Sequence, residues 1–175
     1  IWVSGCVGGA WAALMHRWGK LTLDARVFPA AALAMDRPNP RNALGTALLS
    51  SATACADISD GLAQDLGHIL ERSGVDADVL WDAVPKHPAL AALSQEQQVE
   101  AAMSGGDDYE LVFTAPADKR GLIEQASISA LTPVTRIGRI VEKKPSGAPL
   151  AIRDASGRPL FLPVQGFDHF AQSAD

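Results

Sequence analysis

The chain has 175 residues, 47% hydrophobic and 20% charged, enough for one compact domain and marginal for two. Twenty acidic residues against 15 basic ones give a net charge of −5, with no basic block of five or more, which argues against nucleic-acid binding through a phosphate-neutralising patch. No apolar run approaches the ~18–20 residues that cross a bilayer, and two cysteines, Cys6 and Cys55, are too few for a disulfide scaffold, so buried reduced thiols and a cytoplasmic setting are expected.

Residues 1–4 are β-prone, and Gly5, Gly8 and Gly9 precede a run of helix formers at 10–18, which reads as strand, glycine turn and helix. The chain opens mid-fold, with neither an initiator Met nor a basic-then-apolar leader, and is expected to be a piece of a longer protein. Residues 19–36 are poorly punctuated, with a helix expected at 30–35. Asn39 is a suitable N-cap and Pro40 suits the first helical position, so a helix is expected from there to about residue 50. Residues 53–58 read as a buried strand. Leu62, Leu66, Ile69 and Leu70 fall on one stripe of a helix that begins near Asp60 and ends at Gly74. Residues 75–80 alternate like a strand, Pro85 and Pro88 bracket a turn, and 95–103 reads as a helix. After the loop 104–108 come a strand at 109–114, a helix from Pro116 to Ala126, a strand at 134–140, and a hairpin with its turn at 154–157 between 150–153 and 159–162. Alternating strands and helices without an internal repeat predict a single α/β or α+β domain.

Three segments carry residues suited to chemistry. In 56–62 (ADISDGL), Asp57 ends an apolar strand, Asp60 stands where the next helix begins, and Ser59 lies between them. Two carboxylates so placed can converge on one side of a sheet, where a hard cation such as magnesium could bridge them to phosphates. The helix N-terminus would add N–H donors for a phosphate oxygen. The plainer alternative is that Ser59 or Asp60 only caps the helix, worth ~1 kcal/mol. Capping leaves Asp57 unexplained: after four small or apolar residues it is expected to be half-buried and to need a partner.

In 104–110 (SGGDDYE) the glycines permit a close backbone approach to a ligand, and the adjacent acids Asp107 and Asp108 repel unless a cation relieves them. The alternative is an ordinary glycine turn with solvated acids. Glu110, in phase with Val112 and Thr114, reads as a surface residue. In 166–170 (GFDHF) an aromatic beside a glycine suits stacking on a flat ring or a cation, or else clips the terminus onto the core. There is no phosphate loop, dinucleotide fingerprint or serine elbow, and the histidines lack zinc-site spacing.

Taken together, residues 56–66 (ADISDGLAQDL), 104–111 (SGGDDYEL) and 166–170 (GFDHF) resemble, in order and at similar separations, the C-terminal-domain motifs of the thiamine-monophosphate kinase family. Residues 37–44 (RPNPRNAL) and the opening strand with its glycine turn fit as well, so the resemblance covers nearly the whole chain. It implies an α+β fold, with a mixed, mainly antiparallel sheet and helices packed on one side, like the C-terminal domain of the aminoimidazole ribonucleotide synthetase superfamily. It implies that residues 1–175 are the substrate-binding domain of a two-domain enzyme, whose N-terminal domain carries further metal-binding aspartates and forms a homodimer.

The implied reaction is ATP-dependent phosphorylation of thiamine monophosphate to the diphosphate, assisted by magnesium, in the cytoplasm, with no nucleic-acid or membrane partner. Another ATP-using enzyme of the superfamily, or a fragment acting only as a binding module, is the alternative. Residue by residue, the resemblance implies that Asp57 and Asp60 bind magnesium, Ser59 contacts ATP, Asp107 contacts the thiamine phosphate and Phe167 flanks its ring system. No catalytic base is identified, since a substrate phosphate is already an ionised nucleophile. Two departures stand out. The family's Gly-Asp at the first turn reads Gly8-Gly9 here, and the position of Asp107 is often Glu.

Overall fold

A computed structural model describes residues 1–160. In chain order the first half comprises β1 (Trp2–Ser4), α1 (Gly9–Arg17), α2 (Phe28–Asp36), α3 (Asn42–Leu48), β2 (Ala54–Asp57), α4 (Leu62–Ser73) and β3 (Asp76–Leu80). The second half comprises α5 (Gln95–Val99), β4 (Leu111–Thr114), α6 (Arg120–Ser129), β5 (Val134–Arg136), β6 (Gly138–Val141) and β7 (Leu150–Arg153). The strands form two sheets. One is antiparallel throughout, in the order β2-β4-β1-β5; the other, β6-β3-β7, pairs β3 antiparallel with β6 and parallel with β7. The α+β class with mixed, mainly antiparallel pairing is as expected.

The helices cover both faces of the larger sheet rather than one, and β1 gives the reason. Trp2 and Val3 point to opposite faces, and both are buried. Val3 and its partner Val112 join a core with Leu62, Leu66 and Leu70 of α4 and Ala12 and Ala13 of α1. Trp2 stacks on its partner Phe113, ring centroids 6.3 Å apart, and packs with Leu44 and Leu48 of α3 and Ile123 and Ala126 of α6. The stripe read on α4 is the buried one, and each Leu along it is worth roughly 1.5–3 kcal/mol in burial.

Three expectations are corrected. The strand foreseen at 134–140 is two strands in two sheets. It divides at buried Ile137, whose N–H donates to the Ile1 carbonyl, after which β6 leaves β1 and pairs with β3. The helix foreseen from Asn39 and Pro40 starts at Asn42 without a side-chain cap, because Arg41, the residue before it, carries only donors and cannot accept a helix N–H. The helix foreseen at 95–103 is opened by a Ser94–Gln97 capping box and widens into a π-turn at Glu100–Ser104. Among the described residues, no helix is long and apolar enough to cross a membrane.

Candidate functional site

β2 and β4 lie side by side, Asp57 opposite Leu111, so the end of β2 and the start of β4 meet at one end of the sheet. The pairing continues past both strands. The N–H of Ile58 donates to the Glu110 carbonyl (2.7 Å), that of Tyr109 to the Ile58 carbonyl (2.9 Å) and that of Asp107 to the Ser59 carbonyl (3.0 Å). Only glycine fits at 106, since a Cβ there would lie 2.4 Å from the Ser59 carbonyl oxygen. Asp107 and Tyr109 both adopt positive φ, 65° and 50°, a conformation non-glycine residues hold only where the surroundings fix it. The zigzag leaves Asp107 and Tyr109 exposed and turns Asp108 and Glu110 inward.

The outward acids gather around Tyr109. Its hydroxyl donates to Asp107 Oδ1 (3.1 Å). That bond and the Asp107 charge, with smaller contributions from desolvation and from Asp57 and Asp60, push the phenol above its ordinary value. Asp57 is exposed, not half-buried as expected, because β2 is an edge strand and its outer side chains, Cys55 and Asp57, face open space. The carboxylates of Asp57 and Asp60 make no hydrogen bond or ion pair among the described residues. Asp57 borders a groove of about 790 Å³ whose walls also include Pro40, Arg41, Thr46, Cys55 and Tyr109.

Helix capping does not explain Ser59 or Asp60. α4 starts at Leu62 after Gly61, without a side-chain cap. Asp65, in the first turn, instead reaches back to accept the N–H groups of Ser59 (3.0 Å) and Asp60 (3.1 Å). Burial pushes the Asp65 carboxyl up, although those two bonds pull it down. The N–H groups of Ser59 and Asp60 are thus already used.

Two carboxylates with unengaged oxygens suit part of a magnesium shell completed by water and phosphate oxygens. They do not form a complete protein cage: among the described residues no group of three or more His, Cys, Asp or Glu is placed to hold a metal. The buried thiols expected from the sequence are also corrected, since Cys6 is half-buried and Cys55 exposed.

The inward acids hold the site together. Glu110, expected on the surface, is buried. It accepts Ser4 Oγ (2.5 Å), Arg41 Nε (2.7 Å) and Arg41 Nη2 (2.5 Å), and the Ser4 hydroxyl in turn accepts the N–H of Leu111 (2.8 Å). A Cβ at Gly5 would fall 1.9 Å from Glu110 Oε1, so the carboxylate fills the space of the missing side chain.

Asp108 accepts the Gly8 N–H through both carboxylate oxygens (3.0 and 2.8 Å), with the N–H groups of Gly9 and Ala10 also turned toward it. It thereby joins the substrate-loop candidate to the N-terminus of α1. Desolvation raises its pKa to about 7, opposed by the Gly8, Ala10 and Gly9 donors and reinforced by the Glu110 charge. A folded pKa above the unfolded one means that the folded state binds more protons between about pH 4 and 7. This group's stabilising contribution is present below pH 4 and lost as pH rises to 7, with a slope of at most about 1.4 kcal/mol per unit. Asp108→Asn is expected to flatten that slope, as read from urea midpoints at pH 5, 6 and 7.

Of the residues singled out in the sequence, Asp57, Ser59, Asp60 and Asp107 lie on the paired segments 57–60 and 107–110. Phe167 lies outside the described residues. Arg41, Asp65 and Asp108 were not identified as site-building residues from sequence. Asp65 did carry a signal, an acid on the buried stripe of α4. A second hollow of about 740 Å³, lined by Arg120, Arg136, Arg139 and Arg153, contains none of the singled-out residues.

Residues 1–149 match the family described as AIR synthase related protein, C-terminal domain. The chain is similar to the thiamine-monophosphate kinase of Haemophilus influenzae, 42% identical over 139 residues, covering 78% of this chain and 42% of that protein. It is also similar to the crystal structure of thiamine-monophosphate kinase from Stenotrophomonas maltophilia, at 40% identity and a TM-score of 0.77, over 86% of this chain and 48% of that one. The structure of AaThiL complexed with AMPPCP and TMP aligns at 26% identity and a TM-score of 0.73, over 97% of this chain and 50% of that one. The chain spans less than half the length of the curated relatives it matches.

Proposed function

The chain belongs to the family of AIR synthase related C-terminal domains, and from that premise we propose that it is the substrate-facing domain of a two-domain thiamine-monophosphate kinase. The observation that carries this reading is the gathering of Asp57, Asp60 and Asp107 around Tyr109, the first two with unengaged carboxylates, beside an open groove. The relative complexed with AMPPCP and TMP supports the choice of an ATP-type donor and a thiamine phosphate acceptor.

In this reading Asp57 and Asp60 hold magnesium and Ser59 contacts ATP. Asp107 contacts the thiamine phosphate, and Phe167 flanks its ring system. Magnesium, when bound, would neutralise phosphate charge and align the reacting groups. The protein's own part is positioning. Asp65 fixes the 58–60 turn, the Gly106–Ser59 contact sets the spacing of the two loops, and the strained backbone at Asp107 and Tyr109 directs both side chains outward. The transfer is direct and in line, without a general base, because the accepting phosphate is already ionised. Asp107 also suits the positive thiazolium of thiamine electrostatically. An upstream domain supplies further acids for the metals and completes a cytoplasmic homodimer, so this chain alone is expected to be inactive.

The test is ADP release by the longer protein with ATP, magnesium and a panel of phosphate acceptors. Turnover is expected with thiamine monophosphate and not with the other acceptors. The reverse pattern would place the protein with another enzyme of the superfamily.

A further inference from the structure

We propose that Arg41 is the phosphate-recognising cation of the groove, its guanidinium held in position by Glu110 and Ser4; this rests on reading the groove as a phosphoryl-transfer site. Arg41 is the one cationic side chain among the groove's described walls, and Asp57 is the one acid. The Nε/Nη2 edge of the guanidinium is bound to the Glu110 carboxylate in a two-point pair. The Nη1 amino group makes no hydrogen bond among the described residues. The Arg41 side chain keeps 20% of its surface open, against 6% for Glu110. The carboxylate is thus sealed behind the arginine, while the arginine reaches the groove.

A planar guanidinium tied along one edge can present another to a phosphate, which a flexible ammonium on the same stem cannot do while also satisfying Glu110. Two further hydrogen bonds and a restricted backbone fix the anchor. Ser4 donates to Glu110, the Leu111 N–H donates to Ser4, and Pro38 and Pro40 limit the backbone approaching Arg41. A structural ion pair explains the Glu110 side of this network. It does not explain an amino group left unengaged at the wall of a groove whose other charge is the candidate magnesium ligand. The ligand class is a phosphate monoester or polyphosphate, which Arg41 would bind directly and which a magnesium ion, if held by Asp57, would help to neutralise. The groups that face Arg41, Glu110 first and the Cys6 thiol more weakly, favour its charged form.

The test uses the longer protein and two variants. Arg41→Lys keeps the charge; Arg41→Ala combined with Glu110→Gln removes both charges, so that no ion is stranded. Steady-state kinetics with each phosphate-bearing substrate, and calorimetric titration with inorganic pyrophosphate and magnesium, are the readouts. The expected result is a KM raised about 10- to 100-fold for at least one phosphate-bearing substrate, with a smaller change in kcat and a parallel loss of pyrophosphate affinity, in whichever variants fold. Wild-type KM values and pyrophosphate affinity in the folded double variant would overturn the assignment; if that variant does not fold, the same result in Arg41→Lys would do so. Turnover of a different acceptor by the wild type, with the Arg41 effect intact, would instead sink only the choice of thiamine monophosphate.

Discussion

Glu110→Ala is expected to destabilise the fold by about 3 kcal/mol, a fall in thermal midpoint of roughly 6–12 °C for a chain of this size. Among the described residues the carboxylate is the only hydrogen-bond acceptor of the Arg41 side chain and the Ser4 hydroxyl. Removing it strands the charge of an arginine whose side chain is four-fifths covered, and the hydroxyl of a wholly buried serine. The hydroxyl alone accounts for about 1–3 kcal/mol of that. The truncated side chain also opens a void beside Gly5, where no Cβ is available to fill it. Glu110→Gln keeps the shape and one acceptor oxygen and is expected to cost about half as much. Combining Arg41→Ala with Glu110→Ala should recover part of the loss, because the stranded charge goes with it. That coupling, read from a double-mutant cycle in urea, separates an ion pair from mere packing.

The same residue shows what a sequence displays and what it conceals. The alternation at 110–114 was legible: Glu110, Val112 and Thr114 share a face. That face is buried, as Val112 at 0% and Thr114 at 7% exposure make plain, and so is the opposite face at Phe113. A carboxylate is assigned to solvent by default because an unpaired one is so costly inside. Its partner stands 69 residues earlier, in a proline-rich stretch that reads locally as a helix start. Asp57, Ser59, Asp60 and Asp107 were legible as a chemical group because their residue types and their places at strand ends are local properties. The pairing that joins 57–60 to 107–110 is long-range. Similarly, the stripe of α4 was readable from its period, but the split of 134–140 between two sheets was not, since the hydrophobic pattern runs on through Ile137 while the hydrogen-bond partner changes from β1 to β3. Gly105 and Gly106 were read as allowing a ligand to approach. At Gly106 the close neighbour is the protein's own Ser59 carbonyl, so that glycine builds the site rather than touching the ligand.

Asp57→Asn in the longer protein is expected to lower turnover roughly 100-fold or more, with no loss of stability. The two halves of this expectation have one cause. Asp57 is exposed on an edge strand and its carboxylate is bonded to nothing among the described residues, so the fold does not depend on it. Its charge adds to that of Asp60, both acting on Asp65 and on Tyr109. Neutralising one of a group of like charges relieves repulsion, so the thermal midpoint should hold or rise by a degree or two; surface changes of this kind lie within about 0.5 kcal/mol. Two carboxylates left unengaged at neighbouring positions suit a cation. An amide oxygen retains the shape but loses the anionic charge that a small hard cation needs. The magnesium concentration for half-maximal rate should therefore rise as turnover falls, and saturating magnesium should restore part of the rate. Full turnover at wild-type magnesium would remove Asp57 from the metal site, while a large fall in thermal midpoint would show that its role is structural.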